Sequence, residues 1–470
     1  MNQTMNALRT HASLADTAAA VSDGEITSEA LVERQLARIA RHDGRLHAFV
    51  DVYADEARRA ARALDQMLAA GIRLGPLHGV TVAVKDLFDI AGHALGAGSR
   101  AVPPRVSASS ATVVARLRAA GAIVIGKTHT VEYAFGGWGT NAVMGTPWNP
   151  WDLEVHRVPG GSSSGSAVAV AADLACAAIG TDTGGSVRIP AGLCGLVGLK
   201  TTRGLVSRNG LVELCPTHDT VGPITRTVRD AALMLDVMAG PDVHDPVSRD
   251  APARATALQL ERDMAGTRVW VLPESERHSI ESDVLAIYDR ALATMAQMGM
   301  QLVDRPLPQS CTESMRIAGS LMSAEGYALV GELFEQDDLE FDPHVRRRIL
   351  AGRKIDAAQY IELLQMRDKA REAMLAAMQG VDVCCFPTNA ITAIPVSEVD
   401  EASTPLSRFG RFVNLFDLCS LALPAGLSGS GLPVSIQVIG RPLDEPLVLQ
   451  VGHAFERATP WHLASPPGLD

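Results

Sequence analysis

From residue 75 onward this chain is punctuated by short apolar runs held between glycines: VTVAV at 80–84, AIVI at 122–125 and LVGL at 196–199. Runs of this length suit buried strands and are too short for helices. Segments of helical texture lie between them, such as ATVVARLRAA at 111–120. Strands alternating with helices predict an α/β fold with helices on both faces of one large sheet. The first 70 residues read as helical. Thr27 and Ser28 can cap a helix in which Val32, Leu36 and Ile39 share a face. A second helix is predicted over 54–70, with Ala57, Ala61, Leu64 and Leu68 on one side and Gly71 at its end. The Pro- and Asp-rich stretch 241–253 reads as a surface connection, 268–272 as a strand and 280–298 as a helix. Residues 315–380 look mostly helical and more charged, and strand texture returns at 383–387 and 432–439. These features predict one domain over 1–470. Its parts are a helical region (1–72), a core carrying the chemistry (73–240), a helical peripheral region (241–380) and a return to the core sheet (381–470).

Composition narrows the partners. The net charge is −11 and no basic stripe is present, which argues against nucleic acid or an anionic membrane as a partner. The longest apolar stretch, 167–179, contains Asp173 and is too short to span a bilayer. The first 20 residues hold no continuous apolar segment of the kind that directs secretion, so a cytoplasmic location is expected. The seven cysteines include adjacent Cys384 and Cys385 but no CxxC pair. Neither a disulfide framework nor a zinc site is indicated, and buried, reduced thiols are expected. No H-E-x-x-H or other metal-ligand spacing occurs, so no metal and no cofactor are expected.

The chemistry concentrates in two glycine-rich loops and one lysine. Residues 160–166 read GGSSSGS and residues 180–190 read GTDTGGSVRIP. In the second loop Ser186 follows Gly184 and Gly185, whose missing side chains let successive N–H groups converge on one point. Donors from Thr183, Gly184, Gly185 and Ser186 can hold the oxygen that becomes negative when a carbonyl is attacked. Losing one such donor costs about 2.7–4 kcal/mol of transition-state stabilisation. The bland reading is an ordinary turn before a helix. A serine hydroxyl needs a base to become a nucleophile. Alternation in VTVAV puts Val80, Val82 and Val84 on one face of the strand and Thr81, Ala83 and Lys85 on the other. Lys85 is the available base, although a strand-end lysine paired with Asp86 is the plainer account. To act as a base it must be neutral, and moving a lysine from ~10.4 to about 7 requires burial or neighbouring dipoles. The loop GGSSSGS is not a linker, because it is embedded before an apolar segment, and it lacks the GK[ST] ending of a phosphate loop. Residues 161–165 do match G-x-S-x-G, a nucleophile elbow, but Pro159 spoils the strand that such an elbow requires.

In order and spacing these segments resemble the amidase signature family. The resemblance is carried by LHGVTVAVKD, GAIVIGKT, PGGSSSGSAVAVAA, GTDTGGSVRIPAGLCGLVGLKTTRGLVSRNGL and DTVGPITRTVRDAA. It is densest over 75–235, with weaker echoes at 341–352, 386–388, 413–426 and 432–445. It implies a large mixed sheet covered by helices and a Ser–cisSer–Lys triad: Ser186 as nucleophile, Ser162 as bridge after a cis peptide, and Lys85 as base. Asp182 and Arg188 match family positions as supports of the loop. Ser164 stands where the family pattern GGSSGGS has glycine. The implied activity is hydrolysis of a small carboxamide, ureide or aryl amide. Small-molecule substrates are expected, with no nucleic acid and no membrane, and homo-oligomerisation stays open. One alternative is the A subunit of a glutamine-dependent tRNA amidotransferase. That branch usually carries ALSSGYYDAYY after VKRRI, where this chain has RKIDAAQYIELLQ after VRRRILAG. It also usually has an acid before P-V-N-L-A-G, where this chain has none between Thr404 and Asn414. Both departures favour a free-standing amidase. A second alternative is an amidase-like binding subunit without activity.

Overall fold

A computed structural model describes residues 11–403 and 405–469, so the first ten residues of the N-terminal stretch discussed above lie outside it. The chain opens with α1 (Leu14–Ser22) and α2 (Ser28–Leu46); Thr27 caps α2 by accepting from the Ala30 N–H. A short strand that the sequence did not reveal, β1 (Phe49–Val52), precedes α3 (Ala54–Ala69). The core then follows as β2 (Thr81–Lys85), the small pair β3 (Ala94–Leu95) and β4 (Arg105–Val106), α4 (Thr112–Ala119) and β5 (Ile123–Thr128). The apolar stretch 167–179 divides into two elements, α5 (Ser164–Ala171) and β6 (Ala177–Asp182). Next come α6 (Arg188–Leu193), β7 (Val197–Lys200), β8 (Thr220–Thr225) and α7 (Val228–Met238). The following part contributes β9 (Arg268–Val271), α8 (Ser282–Gln297), β10 (Gln301–Val303), α9 (Cys311–Phe334), α10 (Pro343–Ala351) and α11 (Ala357–Ala377). The last part returns with β11 (Val383–Pro387), α12 (Arg408–Leu415), β12 (Cys419–Leu427), β13 (Pro433–Gly440) and α13 (Glu445–Ala458).

Eleven of these strands form one mixed sheet in the order β1-β5-β2-β6-β8-β7-β12-β13-β11-β9-β10. Alternation sends its side chains to two cores. Val82, Val84, Ile179 and Leu199 meet α4, α7, α8 and α13 on one face, while Ala83, Ile123, Ile125 and Ala178 meet α2, α3 and α5 on the other. Helix α5 is built from small residues and buried on all sides, which lets it lie tight against the sheet. The stretch 241–253 has no regular structure, as expected, but it is not simply a surface connection. Asp242, Asp245 and Ser248 are buried, and the Asp242 carboxylate accepts from Thr112 and Ser207. No helix among the described residues is long and apolar enough to cross a membrane. All seven cysteines are free and buried.

The topology positions the site. Strands β2 and β6 run parallel side by side, with Val84 opposite Ile179. Their carboxyl ends therefore bring Lys85 next to Thr181 and the glycine-rich loop that follows. Such carboxyl ends are where α/β sheets commonly bind ligands.

Candidate active site

Lys85 is sealed from solvent, and its Nζ donates to Ser162 Oγ at 2.8 Å and to Thr181 Oγ1 at 2.8 Å. Both partners are hydroxyls. Burial pushes its pKa down to about 7 against the opposing charges of Asp219 and Asp182. The plainer account of Lys85 as the partner of Asp86 fails, because Asp86 faces Lys127 at 3.3 Å. Two other lysines are fully buried. Lys127 donates to the Ala94 carbonyl as well as meeting Asp86, and Lys200 donates to the carbonyls of Thr201 and Leu418. Carboxylate and carbonyl acceptors favour the protonated amine. Only Lys85 among these three faces hydroxyl groups.

The peptide between Gly161 and Ser162 is cis. Ser162 is fully buried, and its carbonyl accepts from the Val131 N–H and the Thr130 hydroxyl. The next residue ties the two glycine-rich loops together. The Ser163 N–H donates to the Ser186 carbonyl at 3.2 Å, and the Ser163 hydroxyl donates to the Thr181 carbonyl at 3.3 Å. A Cβ on Gly180 would stand only 2.5 Å from Ser163 Oγ, so glycine there permits the close approach. No strand leads into Ser163, and its hydroxyl is fully buried and turned onto β6, so the elbow reading has no structural support. Ser186 is the least buried of the three matched side chains, at 7% exposed.

The loop after β6 is held from beneath. Asp182 accepts from the N–H groups of Gly185 and Val187 and from both Nε and Nη2 of Arg188, all within 3.1 Å. Burial alone would raise the Asp182 carboxyl, but Arg188 beside it, with Lys200 and Asn414, holds it well below the usual range. Arg188 in turn donates to Gln437 and Asn414. This geometry corrects one expectation. The Gly185 N–H points back to Asp182 at 2.8 Å, so it is engaged in holding the loop and leaves the set of oxyanion donors. The N–H groups of Thr183, Gly184 and Ser186 find no acceptor among the described residues.

Several members of the site escaped the sequence reading. Thr181 is the second partner of Lys85. Asp219 accepts from the Thr183 hydroxyl at 2.5 Å and is pushed up to about 6 by burial, against the pull of that bond and the N–H groups of Cys215 and Leu214. Its place at the head of DTVGP was the available signal. Asn414 donates to the Asp182 backbone carbonyl and carboxylate, bracing the loop from α12. Among the described residues no group of three or more His, Cys, Asp or Glu is placed to hold a metal ion.

A family model described as Amidase matches residues 30–449. The A subunit of the glutamyl-tRNA(Gln) amidotransferase of Geobacter metallireducens is 36% identical over 466 residues, covering 93% of this chain and 95% of that protein. Peptide amidase from Stenotrophomonas maltophilia superposes with a TM-score of 0.84 at 31% identity, covering 97% of this chain and 98% of the other. A bacterial aryl acylamidase of the amidase signature family superposes with a TM-score of 0.86 at 26% identity, covering 96% and 97%. The first of these relatives overturns the expectation that nucleic acid can be excluded, since it is named for glutamyl-tRNA(Gln). A net charge of −11 argues against a broad phosphate-binding surface on the chain itself, and says nothing about an assembly whose other parts handle tRNA. With a matched family model over most of its length and relatives that cover nearly all of it, the chain belongs to the amidase signature family, enzymes that break amide carbon–nitrogen bonds.

Proposed function

We propose that this chain cleaves its amide through an acyl-enzyme on Ser186, with Lys85 as base acting through Ser162. The observation that carries the reading is the buried Lys85 amine, bonded only to hydroxyls and brought to about 7 by burial. Neutral Lys85 takes a proton relayed from Ser186 by Ser162 while Ser186 Oγ bonds to the carbonyl carbon. The oxygen gains negative charge in front of the N–H groups of Thr183, Gly184 and Ser186. The relay runs backward to protonate the leaving nitrogen as the C–N bond breaks, and water then releases the acyl group as a carboxylate. Asp182 and Arg188 hold the loop and take no part in proton transfer.

For the amide itself, the relatives favour glutamine, with this chain as the amide-cleaving component of a glutamine-dependent tRNA amidotransferase. The support is 36% identity over 93% of the chain. A second reading is a free-standing amidase for small carboxamides, ureides or aryl amides. It is favoured by RKIDAAQYIELLQ in place of the stretch usual in the amidotransferase branch, and by the lack of an acid between Thr404 and Asn414. The buried free thiols support a reducing compartment such as the cytoplasm. Ser186→Ala is expected to lose activity by about 10⁴-fold or more and to stop reacting with a fluorophosphonate probe. A variant that keeps both properties overturns the acyl-enzyme. Co-purification with larger partner chains and dependence on charged tRNA would select the first amide reading; ammonia release by the isolated chain from small amides would select the second.

A further inference from the structure

Arg411, on α12, is a cation without a partner. Among the described residues no carboxylate pairs with it and no acceptor takes a bond from its guanidinium, while its Nε is sealed from water. Burial and the nearby Arg348 push its pKa down to about 10, so it keeps its charge at neutral pH. The residue as a whole is only partly buried, so its guanidinium can be reached, and a partly desolvated cation without an acceptor is one that a ligand can complete.

Its position is defined by two glycines. A Cβ on Gly184 would meet Arg411 Cγ at 3.0 Å, so the arginine stem lies along the loop that ends two residues later in Ser186. A Cβ on Gly319 of α9 would meet Arg411 Nη1 at 3.0 Å, so the guanidinium passes across a bare patch of that helix. Arg411 borders a cavity of about 520 Å³ and another of about 380 Å³, which share Gly319, Ser323 and Ala351. Around these cavities stand four arginines, Arg316, Arg347, Arg348 and Arg411, against two glutamates, Glu313 and Glu401. Both glutamates are engaged, Glu313 by Arg316 at 2.7 Å and Glu401 by Arg348. Arg347 reaches only the Glu401 backbone carbonyl, at 3.4 Å. The surplus is positive, and of these arginines Arg411 is the one whose stem lies along the loop of Ser186.

The geometry points to Arg411 as the residue that selects the substrate, by binding a carboxylate at the far end of the acyl chain whose amide Ser186 attacks. The planar guanidinium fork suits a carboxylate, and the glycine at 319 gives it room to lie against α9 on the cavity wall. This rests on the proposed function and narrows it. Glutamine carries such a carboxylate, and so do the half-amides of short dicarboxylic acids.

The test compares matched pairs by ammonia release: succinamate against butyramide, and glutamine against 4-aminobutyramide, which is glutamine without its α-carboxylate. Wild type is expected to prefer the carboxylate member of at least one pair by about 10–100-fold in kcat/KM, the range of a hydrogen bond to a charged group. Arg411→Gln should collapse that ratio towards one, mainly through KM, and Arg411→Lys should restore part of it. Succinate should inhibit wild type competitively, a readout that survives if the glutamine variant does not fold. A wild type that is indifferent to the carboxylate in both pairs, or a ratio unchanged in Arg411→Gln, overturns the assignment, as does absence of succinate inhibition. Preference confined to the glutamine pair assigns the carboxylate to an amino acid, and preference in the succinamate pair to a half-amide. Ser186→Ala, run alongside, separates the two claims: if it stays active the acyl-enzyme reading fails, whereas a dead Ser186→Ala with no charge preference sinks only the role of Arg411.

Discussion

Lys85 and Arg188 are both buried basic side chains beside the same loop, and their surroundings suit them to different tasks. Lys85 is given two hydroxyls and no carboxylate within bonding distance, so desolvation prevails and brings the amine to about 7. Arg188 is given the Asp182 carboxylate, the side-chain oxygens of Asn414 and Gln437 and the Gly410 carbonyl, so its guanidinium is fixed in one position. The acceptors supplied with burial therefore separate a side chain that is held by hydroxyls alone from one that is clamped by a carboxylate. One centre can exchange a proton during a reaction, and the other fixes the loop in which the reaction takes place.

Four experiments bear on that contrast. The largest effect is expected from Lys85→Ala, which should lower kcat/KM by about 10³–10⁴-fold while melting remains cooperative. Lys85→Arg should be no better, because guanidinium stays protonated over the usable range. An active arginine variant would erase the distinction between the two cations. Next, Asp182→Asn should destabilise the fold by about 3–5 kcal/mol in denaturant unfolding, since it leaves Arg188 as an uncompensated buried charge. An unchanged midpoint would show that the second centre is not structural.

The third effect is graded in pH. Below about 7 the Lys85 amine is protonated and cannot accept the Ser186 proton, so kcat/KM should rise with pH, approaching about tenfold per unit well below 7, and level off above. The Lys85→Ala profile should lose that limb. A wild-type limb centred several units higher would mean that burial does not free Lys85 of its proton. The smallest effect is expected from Thr181→Val, which removes one of the two hydroxyls from Lys85 and should cost about 1–2 kcal/mol in stability. Because a neutral amine demands less of its partners than a cation, activity should fall by only about tenfold, and the pH limb should shift. Complete inactivity would mean that Thr181, not Ser162, is the principal partner.

Local patterns in the sequence located most of this. The alternation in VTVAV gives the two faces of β2, with Val82 and Val84 in one core and Ala83 in the other. Thr27 caps α2, and loop composition and family spacing singled out Lys85 and Ser162, which the fold brings within hydrogen-bonding distance. What escaped was set by contacts distant in sequence. Thr181 reaches Lys85 across 96 positions, and Arg188 reaches Gln437 across 249, beyond any local pattern. Strand β12 (Cys419–Leu427) was missed because it is buried on both faces and so shows no alternation, and Pro424 interrupts it near a register shift. Gly185 was misassigned for the opposite reason: the competing acceptor, Asp182, stands only three residues before it. The exclusion of nucleic acid failed because charge counted over one chain cannot describe an assembly.

The seat of Ser186 is finished by residues more than two hundred positions away. Gly410 lies so close that a Cβ on it would meet the Gly184 carbonyl oxygen at 2.6 Å, and Asn414 and Gln437 complete the shell around Asp182 and Arg188. During synthesis, then, Lys85 and Ser186 emerge long before the residues that wall in their loop. A nascent chain stopped short of residue 408 carries Lys85, Ser162 and Ser186 and still lacks Gly410, Asn414 and Gln437, which close the loop from behind.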